Sequence, residues 1–497
     1  MFVRLLCAYL VWAWCAAGVV AQLLGPPPGR AAPPSPVEPL PAPGPAASPE
    51  PDEAIPPDLE FIGHIPVTPS GMALRTVLGL LGEEELEDPR DVFTPEFLRQ
   101  YPRERIDSVL QDMRARFVGG VTLLRLEPGF TMTRAVGVVR GVRTGEAWQI
   151  HVRADRDSGR IASLYFQVAW EDQLDARDWA QIDEELSRLP GSTGLAACEI
   201  TPGDGETTVI HERHADKVLA LGPAHTLYIL GTLGEQMQRA AMHHPGASPW
   251  DEKIPVQDRL KSLPPGDLRN VPETTPLSLA DLARRMTAQN DNSAADHLLD
   301  YLGKIMVERY MLRVGVTEPP RSLPFLGTLE YYKIKLGDDP TLADRYARAD
   351  TESRWNMLLE GGEVFAAIPN QGRFLSWEGP IAVDTVGHFA SAMDMARLLA
   401  DLARQCDRPG MTPLARALDG PGLSIDRRPW ASVGFKGGSE PGILSLNWIL
   451  TRDDGRRFVL VLLWNDTQDR LPEGLGFRIA GAAVRLLASH GRTPPEP

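Results

Sequence analysis

Strand-forming residues at both ends of a long helical stretch constrain this chain more than any other feature. Two runs at 194–201 and 207–212 are followed by a helix-rich middle, and strand patterns return only at 432–435, 443–451 and 457–464. Asp453-Asp454-Gly455 supplies a tight hairpin turn between the last two runs. In the middle, Ser278 and Asp281 form a capping pair ahead of Leu279, Leu282, Ala283 and Met286, Gly303 ends the next helix, and 391–404 is amphipathic. A last helix is expected over 476–489. Strands from both ends must share one sheet, because neither set alone buries its apolar face. The spacing therefore predicts an α/β domain over 190–497, an antiparallel sheet with an inserted helical lobe.

The N-terminal part reads differently. Residues 1–21 form an export signal, with Arg4 as its positive end, an apolar run from Leu5 to Val20, and Val19-Val20-Ala21 before a cleavage point at Gln22. An uncleaved anchor is the rival, but the run is short for a spanning helix. Bulky Trp14 before Cys15 does not suit a lipoprotein cysteine. Residues 22–57 are rich in Pro, Ala and Gly and read as a disordered linker. The unit 58–169 places helical patterns first, with Leu74, Val77, Leu78 and Leu81 on one face, and Val109, Leu110, Met113 and Phe117 on another helix. Strands follow at 121–126, 131–142, 148–154 and 161–168, between turns at Arg143-Thr144-Gly145 and Asp157-Ser158-Gly159. This α+β order resembles the cone of nuclear transport factor 2 (NTF2) and ketosteroid isomerase. No Asp/Tyr set of an isomerase accompanies it, so a spacer or docking module is the plain reading. Residues 170–189 are expected to be a connecting helix.

Charge excludes some functions. The chain carries a formal net charge of −15, which disfavours nucleic acid and anionic lipid alike. No membrane contact is expected beyond the signal, and the destination is periplasmic or extracellular. Cys7 and Cys15 lie in the signal, leaving Cys198 and Cys406, for which a disulfide stays open. His211 with His214 and His243 with His244 lack the converging set that a metal needs. No metal and no cofactor are expected.

Three local patterns carry the chemistry. Gly434-Phe435-Lys436-Gly437-Gly438-Ser439 reads either as a turn with a surface lysine or as an active-site strand. Asn290-Asp291-Asn292-Ser293 reads either as a helix cap or as a polar loop facing a groove. Leu221-Gly222-Pro223-Ala224-His225-Thr226-Leu227-Tyr228-Ile229-Leu230-Gly231 opens a long apolar helix, and proline suits a first helical turn. In this order the three resemble the Ser-x-x-Lys, Ser-Asp-Asn and Lys-Thr/Ser-Gly motifs of the serine β-lactamase and penicillin-binding-protein family. Trp250-Asp251-Glu252-Lys253, 262–266, 324–330 and 389–391 further resemble its members with an isomerase-like N-terminal domain, such as the clavulanate-cluster hydrolase-like proteins.

The resemblance implies a catalytic serine at Pro223, a lysine at Thr226 and the relay serine at Asn290, none of which the chain carries. It implies ligand contacts at Asn292, Lys436, Gly438 and Ser439. No Glu-x-x-Leu-Asn segment accompanies them. The expected function is that of a pseudoenzyme binding a peptidoglycan peptide, a β-lactam-like ligand or a partner protein. A hydrolase with a substitute nucleophile at Thr226 or Ser439, served by Lys436 or by His225, and a purely structural protein are the alternatives. Oligomeric state is left open.

Overall fold

The computed structural model describes residues 61–492, apart from 63–64, 83–84, 102, 118, 127–129, 144–146, 170–173, 202–205, 244–247, 264–265, 267, 361–376, 378 and 420–424. The expected signal and linker lie outside the described residues, as do the turn at 202–205 and His244. The chain divides into two compact units, with the division falling between Ala169 and Trp170.

In the first unit, helix α1 (Pro69–Leu81) starts where Thr68 Oγ1 accepts the Gly71 amide at 3.0 Å. Helices α2 (Pro95–Gln100) and α3 (Arg103–Arg116) follow. Strands β1 (Val121–Leu126), β2 (Arg134–Gly141), β3 (Ala147–Ala154) and β4 (Ile161–Val168) form an antiparallel sheet in sequence order. Alternation in β3 sends Trp148, Ile150 and Val152 to the buried face, where Trp148 meets Phe117 edge-on. Gly137 lets Leu74 of α1 lie on the sheet, because a Cβ there would come within 2.9 Å of Leu74 Cδ2.

The second unit opens with α4 (Trp179–Ser187), so the helix expected over 170–189 occupies only its second half. Asp178 accepts the Gln181 amide and sets that start. Strands β5 (Ser192–Ile200) and β6 (Thr207–Arg213) precede a short 3-10 turn, Gly222–His225, and the central helix α5 (Thr226–His243). Helices α6 (Leu279–Ala288), α7 (Asn292–Leu302), α8 (Lys304–Val314), α9 (Thr328–Leu336) and α10 (Ala392–Cys406) form most of the lobe. Strands β7 (Trp430–Glu440), β8 (Ile443–Arg452) and β9 (Arg457–Asn465), then α11 (Glu473–Ser489), end the unit.

The sheet is antiparallel throughout, in the order β7-β8-β9-β5-β6. Pairing of β9 with β5 sets Asn465 against Ser192 and Arg457 against Ile200. This join makes one sheet from the two ends of the unit. Both faces are covered. Val459, Val461 and Leu463 enter the main core with residues of α5, α7 and α10, while Gly476 of α11 fits against Leu444 and Trp464 on the other side. That explains why 459–464 reads as unbroken apolar residues instead of alternating ones. The domain is thus the expected α/β sheet with an inserted lobe. Strand β7 is longer than the run 432–435 and carries Lys436 to Ser439 within it. The turn reading of that motif is therefore displaced.

Cys198 and Cys406 are free thiols. Burial pushes them up, to about 11 and about 12, so both stay protonated near neutral pH. Among the described residues no helix is long and apolar enough to cross a membrane, and no cluster of His, Cys, Asp or Glu could hold a metal.

One buried ion pair ties the lobe to the edge strand. Lys335 Nζ on α9 lies 2.7 Å from Glu440 Oε1 at the end of β7, with both side chains almost wholly buried. Tyr331 Oη also donates to Glu440, and the Lys335 ammonium sits 4.5 Å from the Tyr331 ring centre. Breaking such a pair strands a charge in the interior. Lys335→Met should lower unfolding free energy by about 3–5 kcal/mol. Lys335→Met with Glu440→Gln should recover part of that loss, as measured by denaturant titration of both variants.

Candidate functional site

The site is assembled where β7 runs past the turn that starts α5. Pro223 stands in the first positions of the 3-10 turn, where its missing N–H costs nothing, and Gly222 before it takes φ +51°. Gly438 makes the approach possible. A Cβ on it would stand 2.5 Å from the Ala224 nitrogen, 2.8 Å from the Leu221 oxygen and 3.1 Å from the Pro223 nitrogen. Strand backbone and turn backbone therefore touch, and Lys436, two residues back along β7, is brought beside the loop that starts α7.

Lys436 is 2% exposed, and its Nζ donates to Asn290 Oδ1. It forms no ion pair among the described residues. Burial alone pulls its ammonium down to about 7. Asn290 adopts a left-handed backbone, φ +53°, which asparagine tolerates better than most residues. Asp291 caps α7, accepting the Ala294 amide at 3.0 Å and the Leu268 amide at 2.9 Å. Asn292 is buried, and its Nδ2 donates to the Leu263 oxygen at 3.1 Å and to Tyr332 Oη at 3.3 Å.

The two hydroxyls are turned elsewhere. Thr226 Oγ1 donates to the Pro223 oxygen at 2.9 Å, and Ser439 Oγ donates to the Glu473 carboxylate at the start of α11. Lys436, Asn290, Pro223 and Gly438 are thus brought together, Asn292 lies on the adjoining helix, and neither Thr226 nor Ser439 bonds to Lys436.

His225 is buried in a stack. Its ring lies 4.0 Å from that of His388, nearly parallel, and Phe325 packs at an angle on both. His225 Nδ1 donates to the Gly222 oxygen at 2.8 Å, which leaves Nε2 unprotonated, buried and without a partner. Burial, with Lys436 nearby, lowers His225 to about 4, and His388 is pulled down as well. His211 pairs with Asp183 at 2.9 Å and stacks on Trp179, so its role is local.

The sequence reading missed His388, Tyr332, Glu473 and the Lys335–Glu440 pair. Only Glu440 had a signal, its place directly after Ser439 in the motif. The others approach from segments far along the chain.

The architecture is that of an antiparallel sheet with an inserted helical lobe, in which a late strand passes the start of a central helix. Residues 242–484 match the model of the β-lactamase enzyme family, and the C-terminal unit belongs to the serine β-lactamase and penicillin-binding-protein-like family. That match contains Asn290, Asn292 and Lys436 but begins after Pro223 and Thr226. No curated protein matches the chain by sequence. Among solved structures, a β-lactamase from Sphaerobacter thermophilus is similar at 16% identity, over 64% of this chain and 100% of its own, with a TM-score of 0.42. A class A β-lactamase representative from Bacteroides cellulosilyticus is similar at 17% identity, over 63% and 97%, with a TM-score of 0.42. A structure described as PBP-A is similar at 14% identity, over 62% and 94%, with a TM-score of 0.41.

Two expectations follow from this geometry. Gly438→Ala should separate β7 from the turn at 222–225 and cost about 2–4 kcal/mol, on the scale of severe backbone overpacking. A melting curve near that of the parent protein would contradict the close approach. The second concerns acid. An imidazole kept neutral in the fold but free to protonate when unfolded draws protons to the unfolded chain. The contribution of His225 is therefore complete above pH 6.5 and lost as pH falls toward about 4. Asp296, buried and raised to about 7, acts in the opposite sense, so the comparison must be between variants. His225→Phe should reduce the slope of stability against pH in that window by about 1.4 kcal/mol per unit. An unchanged slope would mean that His225 is protonated in the fold.

Proposed function

We propose that this protein is an exported, non-catalytic relative of the serine β-lactamases that acts by binding instead of by acyl transfer. One observation carries the reading: at the turn abutting Gly438, where the resemblance aligns the nucleophile, stands Pro223, which has no nucleophilic atom. The remaining polar groups favour a ligand with an anionic end and an amide, such as a peptidoglycan peptide or a β-lactam-like molecule. Lys436 and Asn292 would contact it, with the backbone at Gly438 and Ser439 beside them. The first unit, read as an NTF2-like cone, would serve as a docking module, and the signal at 1–21 would take the protein to the periplasm or outside the cell.

A structural role is the second reading. It is favoured by Asn292, whose amide N–H groups are already used on Leu263 and Tyr332. A rebuilt hydrolase receives less support. Thr226 and Ser439 each donate to an acceptor other than Lys436, and the lone pair of His225 Nε2 faces no hydroxyl among the described residues.

The test is incubation of the purified protein with a fluorescent penicillin, followed by a denaturing gel and mass-spectrometric mapping. No ester-linked label is expected while a melting curve reports a folded protein. An ester on Thr226 or Ser439 would overturn the reading and make the protein an acyl hydrolase.

A further inference from the structure

The chain contains only seven lysines, and Lys436 differs in kind from the others. Lys261, Lys304 and Lys335 are paired with Asp258, Glu330 and Glu440. Lys333 lies in the field of Glu330 and Asp296. Lys217 and Lys253 are exposed. Among the described residues, Lys436 alone combines full burial with the absence of a carboxylate partner, its Nζ bonded there only to the Asn290 side-chain oxygen. An ammonium taken out of water with no counter-charge is driven toward the neutral amine, which carries a free lone pair. Its cover is thin. Asn290, the residue to which its Nζ bonds, is itself partly exposed, which sets the nitrogen one residue from the surface.

We infer that Lys436 is a nucleophilic amine that captures small carbonyl compounds as an imine. This rests on the reading that no hydroxyl acts at the site. The amine nitrogen adds to the carbonyl carbon. The carbonyl oxygen then leaves as water with the two amine protons, and a C=N bond remains. Asn290 Oδ1 accepts one of the amine N–H groups and directs the nitrogen during addition. Its left-handed backbone holds that oxygen in place. A small aldehyde carrying a carboxylate suits the site best, since the protonated imine is cationic and no described residue offers Lys436 an ion-pair partner.

The full-length protein would be incubated with glyoxylate and borohydride, which reduces the imine to carboxymethyl-lysine, and the labelled lysine read by peptide mass spectrometry. At about pH 7.5 Lys436 should be labelled at least about tenfold faster than exposed Lys253. Its rate should be half-maximal near pH 7, following the lowered ammonium, whereas an ordinary lysine rises only toward about pH 10. Lys436→Met, which leaves no charge in the interior, should remove the label while keeping the melting transition. Asn290→Ala should slow labelling of Lys436 without changing that of Lys253. Labelling of Lys436 no faster than Lys253, or only after unfolding in urea, would overturn the inference. The two readings fail separately: an ester from penicillin sinks the non-catalytic reading, whereas a missing imine label with no ester sinks only this one.

Discussion

The contact between the backbone of β7 and the turn at 222–225 is the constraint on which the rest of the site depends. Only a glycine at 438 permits it, because a methyl group would overlap both Ala224 and Leu221. Once that distance is set, Lys436 must lie beside Asn290, and the first turn of α5 must face the strand. The main-chain framework of the site is thus held by packing, independently of the side chains around it. Proline at 223 is compatible with this framework, since it suits a first helical turn.

Around that framework most polar groups are satisfied from within. Asp291 caps its helix, Asn292 reaches Leu263 and Tyr332, Ser439 reaches Glu473, and Asp296 accepts the Thr328 and Leu329 amides at the start of α9. Two nitrogens stand apart in charge, the Lys436 amine, bonded to Asn290 with no carboxylate beside it among the described residues, and His225 Nε2, which has no partner. Both are buried, both are shifted toward their neutral forms, and they share one neighbourhood.

The sheet and its inserted lobe were legible because strand patterns bracket the lobe and because Asp453-Asp454-Gly455 marks a hairpin. The N-terminal helices and strands were legible from their periodicities. Strand β7 was underread, since Gly437 and Gly438 look like a turn when only propensity is considered. Gly438 is explained by the turn backbone that lies against it and Gly437 by the Phe435 ring, and a single sequence displays neither neighbour. The aligned positions Pro223, Thr226 and Asn290 were visible from local pattern alone. His388 and Glu473 were not, because their proximity to His225 and Ser439 arises from tertiary packing between distant segments. Trp179 to Ser187 is shorter than expected, as Asp178 caps the helix at its start.

The pairing of β9 with β5 has a consequence for the order of events during folding. Ser192 and Asn465 are direct partners, so the central pair of the sheet closes a loop that contains the whole helical lobe. Such a closure carries a large entropic cost and belongs to the slow end of topology-limited folding. During synthesis β5 and β6 leave the ribosome first and have only each other to pair with. The apolar edge of β5 remains open until residues 457–465 have been made. For all that time the helical lobe can collapse locally, but the core it shares with the sheet is incomplete. A chain built this way spends its synthesis with a sticky strand edge exposed, and its survival then depends on whatever shields that edge until the last strand arrives.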